Sequence, residues 1–100
     1  MQPRQPYKEK LIEELNQDDE FICVAGYPAV INENSLVLDD GKSTINVYFN
    51  EKPAANAKFV RVFGRALSME GSIAIQADFI QDLSKIDTFL YNKVRLLLKK

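Results

Sequence analysis

The sequence predicts an all-β domain: a five-stranded barrel with a short N-terminal helix and a C-terminal α-helix. Three observations lead there. Residues 21–80 run as short apolar or alternating stretches broken by turn residues, which is the pattern of strands. Asp40-Gly41 stands between the run Leu36, Val37, Leu38 and the alternating Ile45, Val47 and Phe49, a strong hairpin signal. On either side, residues 7–17 and 83–100 carry apolar side chains at helical spacing.

One domain is the expectation for 100 residues, because two would leave each core about fifty residues to work with. A hydrophobic share of 46% with 27% charged residues, 4 Gly and 4 Pro excludes disordered, collagen-like and low-complexity chains. Residues 1–6, with two prolines, read as a flexible lead-in. In residues 7–17, Leu11, Ile12 and Leu15 fall at i, i+1 and i+4 among Lys and Glu, giving a short helix with one apolar edge. Asp18-Asp19-Glu20 ends it.

The barrel occupies residues 21–80. Its first strand is long and kinked: Phe21 to Ala25 are apolar, Gly26 marks a bend or bulge, and Pro28 limits the pairing before Val30 and Ile31. Strands two and three form the Asp-Gly hairpin, and a loop of about seven residues, 51–57, follows. In strand four, Val60, Val62, Gly64 and Ala66 face inward while Phe59, Arg61, Phe63 and Arg65 face outward. In strand five, after the turn at Met69 to Ser72, the inward set is Ile73, Ile75, Ala77 and Phe79. All five strands are expected to be antiparallel. The closing helix has Ser84 and Asp87 as an N-terminal capping box and Lys99 and Lys100 at its negative end. Its apolar residues spread over an arc of roughly 220°, against the ~100° that one core requires. The excess face calls for a partner, unless the helix sinks between its own barrel and the N-terminal helix.

Little here suggests catalysis. Without a single His there is no imidazole metal ligand, general base or Ser-His-Asp triad, and the lone Cys23 excludes an intramolecular disulfide. Gly41-Lys42-Ser43 imitates a phosphate-binding loop, but Leu36 occupies the position where that motif needs its first glycine. Asp39 and Asp40 read as turn residues rather than a metal pair. The expectation is a non-enzyme with no cofactor and no metal. No apolar run reaches the ~18 residues of a membrane span, and the first residues lack a secretory apolar stretch. A reducing, intracellular location is therefore expected: cytoplasmic in an archaeal or bacterial-type cell, nuclear in a eukaryotic one.

Net charge is −1, short of the basic balance of a stand-alone nucleic-acid binder. The halves differ, however. Residues 1–50 hold four bases against nine acids, whereas residues 51–100 hold nine bases against five. This is either a basic ligand surface in the second half or a solvated acidic segment in the first. The outward row Phe59, Arg61, Phe63, Arg65 interleaves rings with guanidinium groups, as single-stranded nucleic acid requires, or else it lies under a terminal helix. Thr44, Asn46 and Tyr48 make a second outward row on strand three.

Five short strands with a bent first strand fit the OB-fold, a Greek-key barrel that binds oligonucleotides. The stretches from Leu38 through Asp39-Asp40-Gly41 to Val47, from Phe59 to Arg65, and from Ile75 to Leu83 with the following helix resemble the OB-fold of the replication protein A middle and small subunits. They also resemble its CST-complex relatives, and the small subunit they resemble is of archaeal type. The likeness spans roughly residues 21–98.

That resemblance implies a non-catalytic subunit of a single-stranded DNA-binding complex in DNA replication or repair. Its C-terminal helix would join a larger OB-fold or polymerase subunit through Ile86, Phe89, Leu90, Val94, Leu97 and Leu98, or a second copy when isolated. Stacking aromatics are implied late in strand three and between strands four and five; residues 48–50 match the first place and Met69 the second. The implied DNA contacts are Asn46, Tyr48, Arg61, Arg65 and Met69, weak in the chain alone and with no membrane involved. Two other readings stand beside it: an OB-fold accessory subunit of a replicative polymerase, and a protein-interaction module without nucleic acid.

Overall fold

Among the described residues six strands form, and five of them close on themselves. The structure, a computed structural model, describes residues 7–53 and 56–84. In chain order the strands are β1 (Lys8–Glu9), β2 (Ile22–Ile31), β3 (Ser35–Asp39), β4 (Thr44–Tyr48), β5 (Val60–Met69) and β6 (Ser72–Asp82). The order across the sheet is β1-β2-β3-β4-β6-β5, and β5 pairs back onto β2 to complete a barrel. The expectation of five antiparallel strands needs one correction. The seam between β4 and β6 is parallel, Val47 opposite Ile75 and Tyr48 opposite Gln76, because the β5–β6 hairpin folds across the open end and brings β6 alongside β4 in the same direction.

One strand serves two neighbours. Residues Ile22 to Gly26 of β2 pair with β5, and Tyr27 to Ile31 pair with β3. Gly26 stands at the handover, where a Cβ would lie 2.6 Å from the Asp39 carbonyl oxygen, so only glycine lets the two backbones approach. A bulge between Pro28 and Val30 adds to the bend. Pro28, which has no N–H to give, still sits opposite Leu38 within the β3 pairing.

Inside the barrel, Val24, Leu38, Val47, Val60, Val62 and Ile75 are wholly buried, with Ile22 and Leu36 nearly so. Each such side chain contributes about 1.5–3 kcal/mol on leaving water. The Asp39-Asp40 sequence makes the β3–β4 turn: Asp39 Oδ1 accepts the Gly41 amide at 2.8 Å, and Asp40 Oδ1 accepts those of Lys42 and Ser43 at 3.0 and 2.9 Å. Glu70 and Gly71 join β5 to β6, both at positive φ (50° and 82°), the two-residue turn whose twist matches a hairpin.

The N-terminal helix expected over residues 7–17 does not form. Lys8 and Lys10 donate their amides to the Phe21 and Cys23 carbonyls, making β1 a parallel edge to β2, and a single 3-10 turn follows at Ile12–Glu14. Three apolar side chains cannot meet the cost of nucleating so short a helix, whereas the edge of β2 that β3 leaves uncovered offers ready partners. Leu15 then drops into the barrel core.

A third expectation fails in β6. Its register against β5 shifts between Phe63 and Gly64, so that Phe63 faces Phe79 and Gly64 faces Ala77, with Asp78 looped out between. Ile75 and Ala77 point inward as the alternation predicts, but past the bulge the phase reverses: Phe79 faces solvent and Ile80 packs on the core. A Cβ on Gly64 would lie 2.1 Å from the Gln76 carbonyl oxygen, which is how closely the strands approach here. β6 ends tied to β5: Leu83 donates its amide to the Phe59 carbonyl, and Ser84 Oγ accepts the Lys58 amide at 2.7 Å. Beyond Leu83 and Ser84, the C-terminal helix expected over 83–100, with its capping partner Asp87 and its six interface residues, lies outside the described residues, as does the lead-in 1–6.

Candidate nucleic-acid interface

Strand register brings four polar side chains into one row on the outside of the barrel. Ser35 of β3 faces Tyr48 of β4, Tyr48 faces Gln76 of β6, and Gln76 faces Arg65 of β5. Residues opposite one another share a face, so this row crosses four strands. Asn46 lies one outward step from Tyr48 along β4, exposed and opposite Val37. The Gln76 amide Nε2 donates to the Tyr48 backbone carbonyl oxygen at 3.3 Å, which ties the Gln76 side chain to β4. Tyr48 is half-buried, and Arg65 is exposed and pairs with no carboxylate among the described residues. The β2–β3 turn, residues 32–34, leads into Ser35 at one end of the row. Met69 lies further along β5 from Arg65, opposite Ser72 beside the β5–β6 turn and 42% exposed.

Of the five contacts expected from the sequence, Asn46, Tyr48 and Arg65 thus share one surface, with Met69 beyond it. Arg61 is separate. It faces Ala25 on one side and Gln81 on the other, with its guanidinium carbon 5.7 Å from the Phe63 ring centroid. Nor are the rings Phe59 and Phe63, expected to face outward, free. Phe59 is 1% exposed, packed with Ala25 and Leu83 and 4.9 Å from the Tyr27 ring, and Phe63 is 5% exposed beneath Tyr7 and Phe79.

Among the described residues, the rings most open to solvent are ones the sequence did not assign to a site: Phe21, Tyr27 and Phe79. Phe21 heads the first apolar run and is indistinguishable there from a core residue. Phe79 becomes visible only once the bulge at Asp78 is known. Tyr7, in a segment expected to be helical, lies across Phe63 and Phe79 and donates its hydroxyl to Asp78 at 2.7 Å. That bond to the Asp78 carboxylate, with some burial, raises the phenol above its ordinary pKa and keeps it a donor. Among the described residues no group of three or more Cys, Asp or Glu side chains is placed to hold a metal ion.

Neither a protein-family model nor a curated protein sequence matches the chain. Solved structures do. A chain of yeast RPA bound to single-stranded DNA superposes with a TM-score of 0.65 at 20% identity, over 97% of this chain and 92% of that one. The fold is an OB-fold. A chain of a replication protein A heterotrimer bound to single-stranded DNA gives 0.64 at 19% identity over 93% and 80% of the two chains. The Stn1-Ten1 complex of S. pombe gives 0.58 at 20%, over 76% and 66%. The hypothetical protein ygiW of E. coli, at 0.56 and 22% over 71% and 82%, has the same architecture. Likeness at this level of identity establishes the OB-fold and leaves the ligand to be argued from the surface.

Proposed function

We propose that this chain is a non-catalytic OB-fold subunit of a replication protein A-like complex that binds single-stranded DNA in replication or repair. The observation that carries the proposal is the row Ser35, Tyr48, Gln76, Arg65. It begins on the outer face of β3 and β4, where OB-folds take up oligonucleotides, runs on across β6 to β5, and is entered from the β2–β3 turn. Tyr48 supplies a ring for a base, Arg65 a cation for phosphate, and Asn46 and Gln76 adaptable hydrogen bonds. Arg61 and Met69 contact the strand at the margins of this surface. Likeness to chains of RPA assemblies bound to single-stranded DNA, over 93% and 97% of this chain, supports the same reading.

Few cations line the row, so the chain alone binds weakly and works inside an assembly. The partner is a larger OB-fold subunit, engaged through Ile86, Phe89, Leu90, Val94, Leu97 and Leu98 of the apolar C-terminal segment. Fluorescence anisotropy of the full chain with oligo-dT at two salt concentrations tests the DNA contact. Saturable binding at low salt is expected, and its absence there would leave only the role of a scaffold. Phe89→Asp is expected to keep the barrel folded and to abolish capture of the partner subunit. Unfolding of that variant would make the segment internal core instead.

A further inference from the structure

With Asp78 looped out, the Phe79 ring stacks on Phe63 at 4.4 Å and 18°. Tyr7 meets Phe63, Phe79 and Phe21 edge-on at 5.3, 5.8 and 5.7 Å. Phe63 is covered by this arrangement, but Phe79 and Phe21 stay 49% and 53% exposed. Two rings are held in fixed orientation by their neighbours and are still half open to water. Rings ordered in advance lose little rotamer freedom on meeting a ligand.

We infer that Phe79 and Phe21 form a second base-stacking platform for single-stranded nucleic acid, continuing the Tyr48–Arg65 row and presupposing the DNA-binding role proposed above. The two surfaces adjoin. Phe63 lies one outward step from Arg65 on β5, so the Phe79–Phe63 pair is the next row after Gln76–Arg65. From Tyr48 to Phe79 the path is one strand across and one bulged step along, roughly 10 Å, well inside the ~4–16 nucleotides that one OB-fold accommodates.

The chemistry of the patch selects the ligand. Its exposed apolar groups are planar rings, whereas the exposed aliphatic side chains Val30 and Met69 lie on the β2–β3 ribbon and at the β5–β6 turn. A partner helix would be met by aliphatic knobs; a base is met by a ring face. Arg65 is exposed beside the rings and Arg61 lies over Phe63, so cations border the platform on both sides, as a phosphate backbone requires. Among the acids nearby, Asp78 has its carboxylate engaged by the Tyr7 hydroxyl and Asp19 pairs with Lys10, while Glu51 stands next to Lys52 in the loop beside Phe79.

Photocross-linking tests this. An oligo-dT of about 12 nucleotides carrying 5-bromodeoxyuridine, within the one-fold span, is irradiated with the full chain at low salt and the adducts are mapped by mass spectrometry. Adducts are expected on Tyr48 and also on Phe79 or Phe21. Phe21→Ser and Phe79→Leu should each weaken oligo-dT binding about five-fold or more, with Phe21→Ser leaving the thermal midpoint unchanged. Adducts confined to Tyr48, with unaltered affinity in both variants, would overturn the platform and leave the proposed function standing. No binding by the wild-type chain would overturn both. Self-association that Phe21→Ser abolishes, with DNA affinity unchanged, would assign the patch to a second copy and overturn the platform.

Discussion

The carboxylate of Asp40 accepts the amide hydrogen of Ile12, 28 positions earlier in the chain, at 2.9 Å. Its other oxygen holds the Lys42 and Ser43 amides, so one side chain both shapes the β3–β4 turn and fastens the N-terminal 3-10 turn to it. The neighbouring Lys42–Glu13 pair, exposed and 3.9 Å apart, adds little.

Asp40→Ala leaves three amides without their acceptor. Hydrogen bonds to a charged group contribute about 1.5–3 kcal/mol each where water is excluded and less where it can substitute, so a loss of about 2–3 kcal/mol is expected. Urea denaturation at neutral pH measures it. A variant as stable as the wild type would show that the turn needs no carboxylate.

Gly64→Ala is expected to be far worse than Gly41→Ala. The first would drive a methyl into the Gln76 carbonyl at 2.1 Å and the Ala77 Cα at 2.9 Å, backbone atoms that cannot step aside, costing about 3 kcal/mol or more. The second meets open space and only the strain of φ +99°, about 1–2 kcal/mol. Thermal midpoints of the two variants in the reverse order would refute the close approach at the bulge.

Asp19 gives the fold a pH dependence of known sign. The Asn16 amide at 2.8 Å and the Lys10 ammonium at 3.0 Å hold its carboxyl below the ordinary carboxylate range, against a burial that pulls upward. A carboxyl depressed in the folded state stabilises above its unfolded pKa, and that stabilisation disappears as pH falls through the folded value. The stability advantage of the wild type over Asp19→Asn should therefore be full at neutral pH and shrink as pH falls through the ordinary carboxylate range toward the lowered folded value. An advantage constant down to pH 2 would contradict it.

Tyr48→Ala and Arg65→Ala should separate stacking from charge. Loss of the ring is expected to weaken oligo-dT binding by about 1–3 kcal/mol at every salt concentration. Loss of the guanidinium should flatten the slope of log K against log salt by about 0.7. Equal slopes for wild type and Arg65→Ala would remove Arg65 from the phosphate contacts.

How much of this was legible in the residues depended on how local the cause was. The Asp-Gly hairpin, the bend at Gly26 and the inward set Val60, Val62, Gly64, Ala66 follow from rules acting over two or three positions, and all are present. The N-terminal segment misled because Leu11, Ile12 and Leu15 carry helical spacing, while the deciding partners, the β2 edge and Asp40, are distant in sequence. Phe79 misled for a related reason. Strict alternation assumes an unbroken strand, and the extra residue at Asp78 is imposed by pairing with β5 rather than by anything in β6 itself. At the site, Tyr48 and Arg65 were recognisable by type, but their meeting in one row depends on a parallel seam that no pattern of either strand announces.

That seam consists of two residue pairs, and Tyr48 and Gln76 make up one of them. The groups that would greet a ligand are therefore also the rivets that keep the cylinder shut, at its shortest line of closure. Breathing of the barrel begins there, so the Tyr48 and Gln76 amides should exchange with deuterium ahead of those in the long β5–β6 ladder. A bound oligonucleotide bridging β4 and β6 would slow them, making occupancy readable as the quieting of a joint.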